Sequence, residues 1–422
     1  MAIPSRRTLL RGAGVVGAAI VLPDTGLRAQ SVDTTRSVTR GTPRPGSLWT
    51  LHGDGSDTTS LWREALRGIA GAGAGAIRVT GDHLITRELT LPDVEALEIL
   101  GEGVAVLRKG EPGREFRLFT NRPPQTAGAT LRVENIRFVG DWDAVSSLGG
   151  DGCRCIGVSG YDRVTFRGLS AEAFRNMTFT ADDCDEVLVD GCLVRRSARD
   201  AINLTGSRFV KVTNCTIQHV WDDAIAVHVP RDVTDDTRRW EALITGNQIL
   251  QSHGIKVLGG RDVTIADNQI VAPNNYGIYL GRDAFWREGG VPHVNVVVAG
   301  NIIGEMLDSR YLPGQGDVGA GIILVDGGGR PRSVRIQGNI VSKYKPSGPG
   351  VHYADWGFAA QADERRLFTA DGWIDPELVH GHQGLGIGVR ILCANALDST
   401  EIAVESNTFA NLAEDVQRRV ED

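Results

Sequence analysis

The feature that most constrains the fold is a short pattern repeated between Ser197 and Gly281. Four segments share a polar or aromatic residue, then Ala or Gly, then two large apolar residues two positions apart: Asp200-Ala-Ile-Asn-Leu, Asp223-Ala-Ile-Ala-Val, His253-Gly-Ile-Lys-Val and Tyr276-Gly-Ile-Tyr-Leu. Their first residues are 23, 30 and 23 positions apart, and a second short apolar segment lies between successive repeats. A period of this length with two short strands per unit is typical of a solenoid.

The pattern continues on both sides and is accompanied by a column of corner residues. Related segments begin at Arg154, Asn176, Ala320 and Leu385. The second column contains Asn135, Gly168, Gly191, Asn214, Asn247, Asn268, Asn301, Asn339 and Asn407. Alternation places the apolar residues inside. Asn and Gly suit left-handed corners, and stacked Asn side chains can hydrogen-bond between turns. The sequence predicts an all-β fold, a single-stranded right-handed parallel β-helix of roughly nine or ten turns.

Residues 1–29 have the pattern of a twin-arginine signal peptide. Ser5-Arg6-Arg7-Thr8-Leu9-Leu10 precedes an apolar run from Ala13 to Leu22, and Ala29 lies near a plausible cleavage point. The apolar run is too short to span a membrane. We therefore expect a periplasmic or secreted protein, exported in its folded state after the twin-arginine pattern is recognised.

The charge and cysteine content narrow the partners and the chemistry. The chain has a net charge of −7, and loss of residues 1–29, with four Arg and one Asp, brings it near −10. We expect no nucleic-acid partner, no membrane span and a monomer. Cys192 and Cys215 occupy the same position in successive repeats, which favours buried core thiols over disulfides. The six cysteines show no zinc-binding spacing.

The rest of the chain divides around the solenoid. Residues 30–47 read as a linker, 48–110 as an N-terminal cap with the first strands, 111–412 as the β-helix with an aromatic-rich insertion at 343–383, and 413–422 as a C-terminal tail. In the cap, Asp57 or Thr58 is expected to begin an amphipathic helix that covers the open end of the solenoid. The aromatic residues of the insertion suit either sugar stacking or packing on the solenoid. A second amphipathic helix is predicted from Phe409 to Val420.

Motifs at the start of the chain's predicted cap and in later turns of the solenoid resemble known families. Gly53-Asp-Gly-Ser-Asp-Thr-Thr and Leu100-Gly-Glu-Gly resemble the opening of the pectate-lyase-like β-helix superfamily. Ala198-Arg-Asp200-Ala-Ile, Trp221-Asp222-Asp223-Ala-Ile-Ala and Ser252-His253-Gly254-Ile resemble the Asn-Thr-Asp-Gly-Ile, Asp-Asp-Cys-Ile-Ala and Gly-His-Gly motifs of family 28 glycoside hydrolases, the polygalacturonase group. The resemblance implies a glycoside hydrolase that acts on a polysaccharide.

The three aspartates are the candidate catalytic groups. Asp200 and Asp223 lead adjacent turns and Asp222 precedes Asp223, so like charges should raise at least one pKa and leave an acid beside a base. Inverting glycoside hydrolysis uses such a pair, about 6.5–9.5 Å apart. The resemblance implies that Asp222 is the acid, that Asp200 and Asp223 share the catalytic water, and that His253 adjusts the acid. Aspartates at solenoid corners also bind backbone amides or Ca²⁺, so a structural role is the alternative.

The turn that would contact the substrate differs from the family pattern. Where the family has Arg-Ile-Lys, this chain has Gly277-Ile-Tyr-Leu-Gly281, so Lys256 or Arg282 would replace the missing cation. The expected substrate-binding residues are Lys256, Tyr276, Tyr279, Arg282 and His228. The sequence is therefore as consistent with a neutral or differently charged glycan as substrate as it is with galacturonan.

Two other functions fit the same residues. In a polysaccharide lyase or epimerase, Lys256 would abstract the proton beside a uronate carboxylate, which a cation or Ca²⁺ would neutralise. A hydrolase of this type needs no cofactor and no metal. A non-catalytic β-helix that binds glycan is the third possibility.

Overall fold

A computed structural model describes residues 47–110, 114–142, 153–230, 233, 239–273, 276–282, 290–306, 320–326, 329–343, 387–412 and 414–420. The predicted signal peptide, nearly all of the predicted linker and nearly all of the 343–383 insertion lie outside the described residues. The described elements, in chain order, are β1 (Ser47–Asp57), α1 (Thr59–Ala72), β2 (Ala74–Ile85), β3 (Leu89–Leu91), β4 (Ala96–Lys109), β5 (Phe119–Asn121), β6 (Thr130–Glu134), β7 (Arg137–Val139), β8 (Ile156–Ser159), β9 (Arg163–Arg167), β10 (Ser170–Phe174), β11 (Phe179–Asp182), β12 (Glu186–Asp190), β13 (Leu193–Ser197), β14 (Ile202–Thr205), β15 (Phe209–Thr213), β16 (Thr216–Val220), β17 (Ile225–His228), β18 (Glu241–Thr245), β19 (Gln248–Leu250), β20 (Ile255–Leu258), β21 (Gly260–Ala266), β22 (Gln269–Val271), β23 (Tyr276–Gly281), β24 (His293–Ala299), β25 (Ile302–Met306), β26 (Ala320–Val325), β27 (Arg332–Gln337), β28 (Ile340–Lys343), β29 (Ile387–Leu392), β30 (Ile402–Glu405), β31 (Thr408–Ala410) and β32 (Glu414–Arg419).

The strands form a parallel β-helix, which confirms the predicted fold class. A typical turn has three strands rather than the expected two, for example β12, β13 and β14, each paired in parallel with its counterparts in the neighbouring turns. We call the faces one, two and three in that order. Face three consists of β3, β5, β8, β11, β14, β17, β20, β23, β26, β29 and β32. These eleven strands give eleven turns in the described residues, slightly more than predicted.

The core is a set of stacked apolar columns. On face three, Ile202, Ile225, Ile255 and Ile278 pair in register and are all fully buried. Because side chains alternate along a strand, a one-residue slip would turn this whole column towards the outer surface. The repeated isoleucines therefore fix the register in which the corner residues before them are stacked.

The corner column predicted from the sequence consists of two neighbouring columns. Asn135, Gly168, Gly191 and Asn214 adopt positive φ values of 56° to 61°. Asn214 aligns with Gly246, so Asn247 lies one position further along and aligns with Cys215. From there a buried ladder continues through Asn247, Asn268, Asn301, Asn339 and Asn407. The prediction was wrong in merging the two positions, because Asn suits both a left-handed corner and an inward hydrogen-bonding ladder.

The N-terminal end is closed by the predicted helix. α1 begins after Thr58 and buries Trp62, Ala65, Leu66 and Ile69 against the first turns. Its C-terminal cap is Gly73 at φ 76°, whose N–H donates to the Ile69 carbonyl. No helix in the described part of the chain is long and apolar enough to cross a membrane.

The C-terminal tail forms strands, which contradicts the predicted helix. β32 pairs in parallel with β29, from Ile387 with Glu414 to Leu392 with Arg419. The apolar residues here fit helical spacing, but the exposed edge of β29 offers backbone hydrogen-bonding groups that a strand can satisfy. All six cysteines are free and buried, in agreement with the predicted core thiols.

Candidate active site

The strand register brings the predicted column together at one corner of face three. Asp200, Asp223, His253 and Tyr276 each lie two residues before one of the aligned isoleucines. The backbone N–H of Ala201 donates to the Asp223 carbonyl at 3.0 Å, so the corner itself is hydrogen-bonded between turns. We call Asp200, Asp222 and Asp223 the carboxylate cluster.

Asp223 is the most enclosed member of the cluster. Tyr276 Oη donates a short hydrogen bond to its Oδ1, and Lys256 Nζ lies 3.8 Å from its Oδ2. Its side chain is 3% exposed. Burial raises the pKa of Asp223, and the positive charge of Lys256 offsets this only in part.

Asp222 is the accessible carboxylate of the cluster. Its side chain is 23% exposed, and Arg199 Nη1 lies 3.4 Å from its Oδ2. His253 Nδ1 lies 3.2 Å from Asp222 Oδ1 and 3.8 Å from Asp223 Oδ1. Burial acts to raise the pKa of Asp222, but the hydrogen bond from His253 and the charges of His253, Lys256 and Arg199 bring the net pKa below its usual range.

Asp200 supports the cluster from the preceding turn. Its Oδ2 accepts a 2.6 Å hydrogen bond from Asn203 Nδ2, and its Oδ1 accepts the backbone N–H of Asp223 at 3.3 Å. Burial, followed by the charges of Asp222 and Asp223, raises the pKa of Asp200 well above its usual range. Two carboxyls with raised pKa values therefore flank one with a lowered pKa.

Three residues of the site carry atoms that can bind a metal ion. Asp222, Asp223 and His253 offer ligand atoms that lie within 4.8 Å of one another, so Asp222 and Asp223 approach each other more closely than the 6.5–9.5 Å expected of an inverting pair. Lys256 and Arg199 already place positive charges 3.8 and 3.4 Å from these carboxylates. A divalent cation would be repelled by both groups. The donor set therefore suits proton transfer better than metal binding.

The other expected substrate-binding residues differ in how close they lie to the carboxylate cluster. Lys256 and Tyr279 are aligned neighbours on the outer side of face three, and the Lys256 ammonium lies 5.9 Å from the Tyr279 ring centre. Tyr279 Oη donates to the carbonyl of Arg282, whose side chain is exposed. His228 lies at the other end of its strand, five residues after Asp223, and so does not belong to the cluster.

Three residues at the site were not singled out from the sequence. Asn203 holds Asp200, and Arg199 contacts Asp222. Trp221 has the Arg199 guanidinium 5.3 Å from its ring and the His253 ring centre 6.5 Å away. Arg199 directly precedes Asp200 and Trp221 directly precedes Asp222, so the position before each aspartate is the sequence signal that could have found them.

A further acidic residue, Asp182 on β11, gives a stability test. Its carboxylate lies 3.6 Å from Arg154 Nη1, and burial raises its pKa from 3.8 to about 6. Because the folded state binds this proton more tightly than the unfolded state does, protonation of Asp182 stabilises the fold. This contribution is complete below pH 3.8 and is lost as the pH rises through about 6. We expect wild-type unfolding free energy, measured by urea denaturation, to fall by about 2 kcal/mol relative to Asp182→Asn between pH 4 and 7. A constant difference between the two proteins would contradict the raised pKa.

Comparisons with known proteins agree with the architecture. A family model described as a right handed beta helix region matches residues 154–365. Similar solved structures include a catalytic domain of GH87 alpha-1,3-glucanase in complex with nigerose, at 14% identity and a TM-score of 0.49, covering 90% of this chain and 70% of that chain. PfbA, a surface adhesin of Streptococcus pneumoniae, is 12% identical with a TM-score of 0.43, covering 86% of this chain and 91% of that one. The mannuronan C-5 epimerase AlgE4 A-module of Azotobacter vinelandii is 13% identical with a TM-score of 0.35, covering 87% of this chain and 96% of that one.

These likenesses concern the fold alone, since an adhesin, a glucanase and an epimerase all appear among them. No curated protein matches the sequence. The resemblance to family 28 glycoside hydrolases stays a prediction. The match of the family model over half of the chain, together with the eleven stacked turns, means that this chain belongs to the right-handed β-helix family.

Proposed function

We propose that this protein is an exported glycoside hydrolase that cleaves a polysaccharide by acid–base catalysis at the carboxylate cluster. The observation that carries the proposal is the opposite direction of the pKa shifts of the adjacent Asp222 and Asp223. Neighbouring carboxyls whose environments separate their pKa values are the usual basis for assigning an acid and a base.

The roles follow from charge and exposure. Asp222, ionised and accessible, is the base that takes a proton from the attacking water. Asp223, with a raised pKa, gives its proton to the departing glycosidic oxygen as the bond to the anomeric carbon breaks. This reverses the role that the resemblance implies for Asp222, because Arg199 and His253 stabilise its charged form.

His253 connects the two roles. After one turnover the proton taken from water is on Asp222, while Asp223 has lost its own. His253 Nδ1 is 3.2 Å from Asp222 and 3.8 Å from Asp223, so it can give the proton it holds to Asp223 and then take the proton that Asp222 received from water. Asp200, whose pKa is raised by burial, holds the backbone of Asp223 in place.

An elimination reaction with Lys256 as the base is the second candidate. It is favoured by the position of Lys256 beside Tyr279 and Asp223 at the site. However, Lys256 would have to act without its proton next to carboxylates that stabilise the charged ammonium. This contact favours Lys256 as a positive group that stabilises the Asp223 carboxylate after it has given up its proton.

The two candidates predict different products. We expect the purified mature protein, tested on a panel of neutral and acidic polysaccharides, to release new reducing ends without an ultraviolet-absorbing unsaturated uronate. Lys256→Ala should retain activity within about tenfold, and a chelator should leave turnover unchanged, because no metal takes part. An unsaturated product, abolished by Lys256→Ala or by chelation, would support a lyase instead. Absence of any product would support a glycan-binding protein.

A further inference from the structure

The corner that carries the aspartates also carries arginines on earlier turns. Arg87, Arg117 and Arg154 each lie two residues before the aligned face-three residues Leu89, Phe119 and Ile156. This is the position that Asp200 and Asp223 occupy relative to Ile202 and Ile225. The register runs without interruption from Phe119 through Ile156 and Phe179 to Ile202. We call Arg87, Arg117 and Arg154 the arginine ladder.

Side-chain packing places the ladder on the outer surface of face three. A Cβ atom added at Gly157 would lie 3.2 Å from Arg117 Cδ and 3.4 Å from Arg154 Cδ, so the two stems run over this glycine. Arg154 also donates to Thr180 Oγ1 at 3.4 Å. Exposure increases away from the aspartates, from Arg154 at 15% through the half-buried Arg117 to the exposed Arg87.

Arg87, at the N-terminal end of the ladder, lines a cleft beside α1. This cleft of about 760 Å³ is lined by Arg87 together with Arg63 and Arg67 of α1 and with Thr90 on the outer side of β3. The acidic groups near the arginines include Asp57, close to Arg87, and Asp182, close to Arg154 and Arg117, with Asp183 beside Asp182. The five guanidinium groups outnumber these three carboxylates.

We propose that the arginine ladder and the cleft bind a linear acidic polysaccharide, with its sugar carboxylates on successive arginines, and guide it to the carboxylate cluster. The direction of binding, with the polysaccharide running towards the carboxylate cluster, rests on the proposed function. Successive turns of a β-helix are about 4.8 Å apart, so the turn of Arg87 is about 24 Å from that of Asp223. This length is that of several sugar units. Guanidinium forks match carboxylate geometry, and each has five donors, so Arg154 can contact Asp182 and a ligand together.

The test measures binding in an Asp222→Asn background, so that the probe is not consumed. Polygalacturonate, dextran sulfate and neutral dextran are the probes, and titration calorimetry gives the affinity. We expect polygalacturonate to bind and dextran not to bind. The triple variant Arg87→Gln, Arg117→Gln, Arg154→Gln should weaken polygalacturonate binding at least about tenfold, since charge-assisted hydrogen bonds are lost.

A charge-matched control variant distinguishes an effect of the arginine ladder from an effect of the changed net charge. Arg163, Arg195 and Arg335 are exposed on strands of faces one and two, and the same three changes there should alter affinity by less than about twofold. The single variant Arg87→Gln, at an exposed position, should weaken binding of the long polymer. It should not weaken binding of trigalacturonate near the carboxylate cluster. Equal losses in both triple variants, or no binding of polygalacturonate, would overturn the proposal.

The remaining outcomes separate this proposal from the proposed function. Stronger binding of dextran sulfate than of polygalacturonate, lost in the ladder variant, would overturn the assignment to carboxylates. Turnover of a neutral glycan that depends on Asp222, without polyanion binding, would leave the hydrolase standing and refute the ladder. Arginine-dependent binding of polygalacturonate by a wild-type protein that turns over no glycan would confirm the ladder and refute the hydrolase.

Discussion

Replacement of Asp223 by Asn is expected to lower the turnover of a natural polysaccharide by about 10²–10⁴-fold, because the amide cannot protonate the departing oxygen. An aryl glycoside with a good leaving group needs no such proton. The same variant should therefore cleave the activated substrate at a rate close to that of the wild type. Initial rates on both substrates test the assignment, and circular dichroism checks that the variant is folded.

Asp222→Asn is the matched variant for the base. It removes the group that activates water, so both substrates should be affected by a similar factor, and an external nucleophile such as azide should restore cleavage of the activated one. If the activated substrate rescued Asp222→Asn instead of Asp223→Asn, the acid would be Asp222, as the family resemblance implies. The opposite pKa shifts would then not report the catalytic roles.

The pH profile should reflect the same assignment. Wild-type activity should fall on the acidic side only below pH 3.8, where Asp222 with its lowered pKa becomes protonated. On the alkaline side it should fall above the ordinary carboxyl range, as Asp223 with its raised pKa loses its proton. Asp222→Asn should lose the acidic limb of the remaining activity and keep the alkaline one.

The largest expected loss of stability comes from the asparagine ladder. Asn301 Nδ2 donates to the Ile265 carbonyl and to Asn339 Oδ1, both at 2.9 Å. Its Oδ1 accepts the backbone N–H of Asn268 at 3.1 Å and Asn268 Nδ2 at 2.9 Å. Asn301→Ala removes four hydrogen bonds and leaves buried polar groups unsatisfied, so we expect a loss of about 3–5 kcal/mol of unfolding free energy.

The control for this variant is Asn214→Gly. Asn214 is an exposed corner residue at φ 56°, a conformation that glycine adopts without strain. Its replacement should change unfolding free energy by about 1 kcal/mol or less. Urea denaturation of both variants measures the difference. Similar losses at the two positions would show that the inward ladder contributes no more than an ordinary corner.

Much of the fold could be predicted because it is repeated along the chain. Residues such as Ile202 and Ile225 recur in the same local pattern, and a repeated pattern fixes register and inward direction together. The third strand of each turn was missed, since segments such as Leu193–Ser197 have weaker alternation. The tail was misassigned because the spacing of Leu412, Val416 and Val420 suits a helix. In the structure, hydrogen bonding to the edge of β29 makes this segment a strand.

The site was only partly visible in the sequence for a related reason. Asp200 and Asp223 are 23 residues apart, like their neighbours in the repeat, so their alignment could be expected. Arg87, Arg117 and Arg154 are separated by 30 and 37 residues, because intervening loops differ in length, and their alignment appears only in the strand pairing. The pKa directions likewise depend on burial and on contacts such as that of Arg199 with Asp222, which no spacing reveals.

In the proposed reaction, water activated by Asp222 attacks the anomeric carbon while Asp223 gives its proton to the departing glycosidic oxygen. Proton NMR during the first minutes of cleavage reads the configuration of the new reducing end before it equilibrates. Direct attack by water predicts a product of inverted configuration, and its formation should disappear in Asp222→Asn. A product of retained configuration, or an unsaturated end in place of a reducing sugar, would contradict this account.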